Sequence, residues 1–191
     1  MLAKRIENWS GRSVRVVNLS VSGATLGIAL EKELPRFVRM RPELLESAVV
    51  TVSIGANDIA TWDPQRFTRQ LDLLLSQLPE HAIVADLPSF YFLPGERKAQ
   101  VGNRILRSTA EKYGLRVVDL HDTMRREGVL GVATQFAGDL FHPNDRGYVV
   151  WANAFDAAVR ERVAVIQSAS AGSAARSARS QSRASTNTSS A

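Results

Sequence analysis

Four short apolar runs, separated by stretches of helical spacing, constrain this chain more than any other feature. They are Val14–Val21 (VRVVNLSV), Ala48–Ile54 (AVVTVSI), Ala82–Leu87 (AIVADL) and Leu115–Leu120 (LRVVDL). Each is rich in β-branched residues and reads as a strand. Near-continuous apolarity suits strands of a parallel sheet covered on both faces. Between the runs the period changes. Leu26–Phe37 carries a helix-like pattern that breaks near Pro35. Asp63-Pro64 reads as an N-cap and first helical residue, with Phe67, Leu71, Leu74 and Leu78 on one face. Val101, Ile105 and Leu106 mark a long helix that stops near Gly114, and Val149, Ala152, Phe155 and Val159 mark a last one over Asp145–Val165. Leu2, Ile6 and Trp9 form a short amphipathic helix with Gly11 as its stop. The stretch between the fourth run and Phe141 reads as loop. Strand–helix alternation of this kind predicts an α/β sandwich with a mainly parallel sheet and helices on both faces.

Composition narrows the chemistry. The 191 residues can bury a sizeable core, and there is no cysteine, so thiol nucleophiles, disulfides and cysteine–zinc sites are excluded. No apolar run has the length of a membrane span. Met1–Gly11 is charged throughout and is not a signal peptide. As written the chain reads as cytoplasmic, with secretion open to a protein that starts upstream. The net charge of +5 is concentrated at the end, where Ser168–Ala191 holds Arg176, Arg179 and Arg183 and no acid. That stretch has no large apolar side chain to offset its ordering entropy, so a disordered tail after a domain of residues 1–167 is expected. Binding of nucleic acid or an anionic membrane by the three arginines is the lesser reading, and no nucleic-acid partner is expected.

Three segments at the ends of the apolar runs carry chemistry. Ligand sites in doubly wound sheets lie at the carboxyl ends of strands. The first segment is Asp139-Leu140-Phe141-His142-Pro143-Asn144. An Asp three residues before a His can hold its Nδ1–H and leave Nε2 as a general base. A helix-capping Asp beside a surface His is the plainer alternative, and metal ligation lacks a third ligand. The second is Gly55-Ala56-Asn57-Asp58, where a glycine allows a close approach and an Asn amide can donate to an oxyanion. An ordinary Gly-Asn-Asp turn explains it as well. The third is Ser22-Gly23, whose backbone N–H could serve the same oxyanion. Phe90 and Tyr91, in an aromatic loop after the third run, either line a substrate pocket or pack the loop down.

Taken together and in this order, these segments resemble the SGNH (GDSL-type) hydrolase family, over Asn18 to about Tyr148. The resemblance implies a flavodoxin-like three-layer sandwich with strand order 2-1-3-4-5. It implies Gly23 and Asn57 as the oxyanion hole and Asp139 and His142 as two members of a Ser-His-Asp triad. It also implies esters of small molecules, lipids or glycans as substrates, with no metal or organic cofactor. The family nucleophile lies in a Gly-Asp-Ser segment after the first strand, and no Gly-Asp-Ser occurs in this chain. The expectation is a natural start upstream of Met1, with the first strand absent here and the chain as written inactive. Val14–Val21 and Ala48–Ile54 would then lack the strand between them, and would have to re-pair for the sheet to hold. The alternative is an inactive SGNH-like binding module.

Overall fold

A computed structural model describes residues 1–91, 94–138 and 142–187. The chain opens with helix α1 (Leu2–Ser10), closed by Gly11 at φ 66, the left-handed stop expected of a glycine there. Helix α2 (Leu26–Ile28) runs through a wide π turn (Ala29–Glu33) into α3 (Leu34–Phe37). The break expected near Pro35 takes this form. Pro35 has no N–H for the i−4 carbonyl, and one step before it Leu34 N–H bonds to Ala29 O. Helix α4 (Pro42–Glu46) follows, then strand β1 (Thr51–Val52). Helix α5 (Pro64–Leu75) starts on the predicted cap, with Asp63 Oδ1 accepting from the Gln65 and Arg66 N–H groups, 3.0 Å each.

Strand β2 (Ile83–Ala85), helix α6 (Glu96–Lys112) and strand β3 (Arg116–Val118) complete the sheet. Its order is β1-β2-β3 and both pairings are parallel. Alternation across β2 divides the core. Val84 faces a cluster built from Phe67, Leu71 and Leu75 of α5 and Ala99, Leu106 and Ala110 of α6. Ile83 and Ala85 face a second cluster with Met124, Val150, Phe155 and Val159, against which Leu2, Ile6 and Trp9 of α1 pack. The molecule is therefore an α/β three-layer sandwich around a parallel sheet, whose central strand is buried throughout.

Three expectations are corrected. Val14–Val21 forms no strand, and Val16 and Val17 stand 64% and 52% exposed. It does not re-pair with β1, so no ladder holds it extended and its strand propensity is unspent. The stretch before Phe141 is not loop throughout. It holds α7 (Leu120–Arg125), whose first turns bury Leu120 and His121, and α8 (Gly128–Gln135). Third, α9 (Asp145–Asn187) runs on past the end expected near Val165. A nucleated helix extends without a new nucleation cost, and alanine is its best propagator.

Candidate active site

The two predicted donor turns meet. Gly23 has φ 71 in a turn closed by Ala24 N–H to Val21 O at 3.1 Å, a conformation that favours glycine. Gly55 has φ 101, and a Cβ there would lie 2.9 Å from Leu87 Cδ2 and 3.0 Å from Phe67 Cε2. The strand can leave the sheet at that point only because the residue has no side chain. Just beyond it, Asn57–Ile59 make one 3-10 turn. From this turn Asn57 Nδ2 donates to Ala24 O at 2.9 Å, and Asp58 Oδ2 accepts the Leu26 N–H at 3.0 Å. Asn57 thus spends one amide hydrogen on the Gly23–Ala24 turn and keeps the second. Asp58 is buried, and burial raises its carboxyl above the usual range against the opposing pull of the Leu26 N–H.

His142 is exposed and lies just before α9. Its backbone is held by Ala137 N–H, which donates to His142 O at 2.8 Å, beside a bridge between Phe136 and Pro143. Asp139, its expected partner, lies outside the described residues. The first turns of α9 border a groove of about 320 Å³ whose walls include Met1, Leu2, Tyr148 and Trp151. The start of α1 is therefore brought against the helix that His142 leads into.

Phe90 and Tyr91 both pack against the core. Phe90 is buried in the first core cluster. Tyr91 sits at φ 56, donates its hydroxyl to Met124 O at 2.8 Å and meets the Phe136 ring edge-on. Holding them is a polar cluster that the sequence did not disclose. The Glu96 carboxylate accepts from Phe90 N at 2.8 Å and Ser89 Oγ at 3.3 Å, and lies 2.9 Å from His121 Nε2. Burial alone would raise this carboxyl, but the His121 charge and the hydrogen bonds together bring it below the usual glutamate range. Asp86 accepts from the His121 backbone N–H at 2.9 Å and from Arg107 at 2.6 Å, and burial still raises its carboxyl. The available signal was Glu96 in the first turn of a helix; two of its partners, His121 and Arg125, lie 25 and 29 positions away in sequence. His121 is thus a buried histidine with both its backbone N–H and its ring partnered. Among the described residues no group of three or more His, Cys, Asp or Glu side chains could hold a metal ion, and no helix is long and apolar enough to cross a membrane.

The model of the GDSL-like Lipase/Acylhydrolase family matches residues 1–150. Among solved structures, an α/β hydrolase enzyme, LAE5, from the metagenome of Lake Arreo, Spain, shares 23% identity at a TM-score of 0.65, over 83% of this chain and 80% of that one. Axe2, an acetylxylan esterase from Geobacillus stearothermophilus, shares 19% at 0.67, over 83% and 80%. A lipase/acylhydrolase from Enterococcus faecalis shares 18% at 0.67, over 85% and 83%. At these identities the likeness is one of fold. No curated protein matches the chain in sequence.

Proposed function

Because the chain belongs to the GDSL-like lipase/acylhydrolase family, we propose that it is the scaffold of a carboxylic-ester hydrolase working through an acyl-enzyme. The nucleophile is a serine that this sequence does not contain. In this reading its Oγ attacks the ester carbonyl while His142 takes the proton. The Gly23 N–H and the second Asn57 N–H hold the negative oxygen, and Asp139 orients His142. His142 returns the proton to the leaving alcohol. It then activates a water, and the acid is released. Such catalysis needs no cofactor.

The observation that supports the reading is the hydrogen bond from Asn57 to Ala24, which ties the turn carrying Asn57 to the turn carrying Gly23. Axe2, an acetylxylan esterase, directs the first choice of substrate to acetyl esters, glycan acetates included. The hydrolase domain is taken as residues 1–167, since Val163 is still buried and Gln167 still reaches Ser10 O.

The test is a version extended by upstream codons that supply a strand ending in Gly-Asp-Ser. It should turn over p-nitrophenyl acetate, and His142→Ala should abolish that turnover. The 191-residue chain should sit about a millionfold lower. Full turnover in the His142→Ala protein would remove His142 from its role. An upstream sequence without the serine, with ester binding but no turnover, would favour the inactive binding module.

A further inference from the structure

We propose that Asn144 is the positioning residue for His142, an inference that rests on the hydrolase reading of that histidine. Asn144 follows His142 by two residues and is engaged at every polar atom. Its backbone N–H donates to Gln135 O at 2.9 Å and its carbonyl accepts the Tyr148 N–H at 2.9 Å. Its Nδ2 donates to both Thr134 O and Phe136 O, 2.9 Å each. Its Oδ1 accepts the Gly147 N–H at 3.0 Å.

The last of these bonds is an N-cap on α9 and serves the helix. The two Nδ2 bonds do something else. They tie the residue after His142-Pro143 to carbonyls on the other side of the loop, at the end of α8. The same loop is also held by the Phe136–Pro143 bridge, by Asn144 N–H on Gln135 O and by Ala137 N–H on His142 O. To these the amide nitrogen of one side chain adds two bonds that seat the His142 backbone against the end of α8. The site is also close-packed. Gly147 passes so near the Gln135 carbonyl that an added Cβ would clash with it.

Capping and positioning can be separated. Asn144→Asp keeps an oxygen for Gly147 but turns an oxygen toward two carbonyls. Asn144→Ser keeps a cap and supplies no such donor. The experiment is NMR on the 191-residue chain, whose three histidines report separately. In both variants the Gly147 amide should stay protected, and the His81 and His121 ring signals should not move. The Ala137 amide should exchange about tenfold faster, and the His142 ring signals should shift. A purely capping residue would leave Ala137 and His142 unchanged in both variants, and that result overturns the proposal. Should Asn144→Asp unfold, moving all three histidines, Asn144→Ser decides the matter by the same signals. The readout needs no turnover. Failure of the hydrolase reading would appear instead as an inactive serine-bearing protein with Asn144 intact.

Discussion

Ala82–Leu87 and Val14–Val21 have similar compositions, yet the first is buried at every position and the second leaves most of its residues exposed. The difference lies in their neighbours. Around Ala82–Leu87, β2 has β1 on one side, β3 on the other and helices over both faces. In Val14–Val21 side chains answer the backbone. Val14 N–H goes to Glu7 Oε1 at 3.0 Å, Ser20 N–H to Asn18 Oδ1 at 3.0 Å, and Val21 N–H to Glu33 Oε1 at 2.7 Å. A strand is thus a property of a pairing, and propensity only records which residues tolerate one.

The well-paired region should be the easier to break, and Glu96 is its weakest link. Glu96→Ala leaves the Phe90 N–H, the Ser89 hydroxyl and the His121 ring without the carboxylate that holds them. The expected loss is about 3–5 kcal/mol by urea unfolding. Acid should reproduce part of it. The Glu96 carboxyl lies below the usual range in the fold, so its contribution is complete above the unfolded pKa and fades as pH falls through the folded one. Asp86 and Asp58 are raised, so protonation favours the fold and their effects run the opposite way. Glu96→Gln should therefore lose less stability on acidification than the parent. An identical acid dependence would detach Glu96 from it.

The two glycines of the donor turns sharpen the comparison on a smaller scale. Both have positive φ, but only Gly55 is also crowded. Gly55→Ala should cost about 2–4 kcal/mol, from backbone strain plus the clash with Leu87 and Phe67. Gly23→Ala, with nothing within 4 Å of the new Cβ, should cost only the backbone strain, about 1–2 kcal/mol. Equal losses in chemical denaturation would mean that the close approach at Gly55 is absent.

The same contrast explains how far the sequence could be read. The three strands that form lie within apolar runs, and β2, covered on both faces, is buried at every position. Asp63-Pro64 announced α5 because a cap is local. Gly23 and Asn57 could be named through the family resemblance, and Asn57 also because it follows an apolar run that does form a strand. What stayed hidden depends on partners distant in the chain. Glu96 and His121 are polar residues made buriable by each other, 25 positions apart. Helix α8, Gly-Val-Leu-Gly-Val-Ala-Thr-Gln, is poor in helix formers and is held by packing on α7 and α9. Val14–Val21 misleads because no single-chain pattern reports whether a neighbouring strand is present.

The smallest predicted effect bears on that last point most directly. Val16→Lys and Val17→Lys replace side chains that are already 64% and 52% exposed. Surface changes of this kind move stability by no more than about 0.5 kcal/mol, since little apolar area is returned to water. Were the segment paired within the sheet, each valine would forfeit about 1.5–3 kcal/mol of burial, and an amine in the core would add to the loss. Val84→Lys, in the middle of β2, provides the reference and should abolish cooperative unfolding altogether. If Val16→Lys and Val17→Lys leave the urea midpoint in place while Val84→Lys removes it, the two segments differ in solution as they do here. If Val16→Lys and Val17→Lys cost as much as core substitutions, Val14–Val21 has found a partner, and the sheet is wider than three strands.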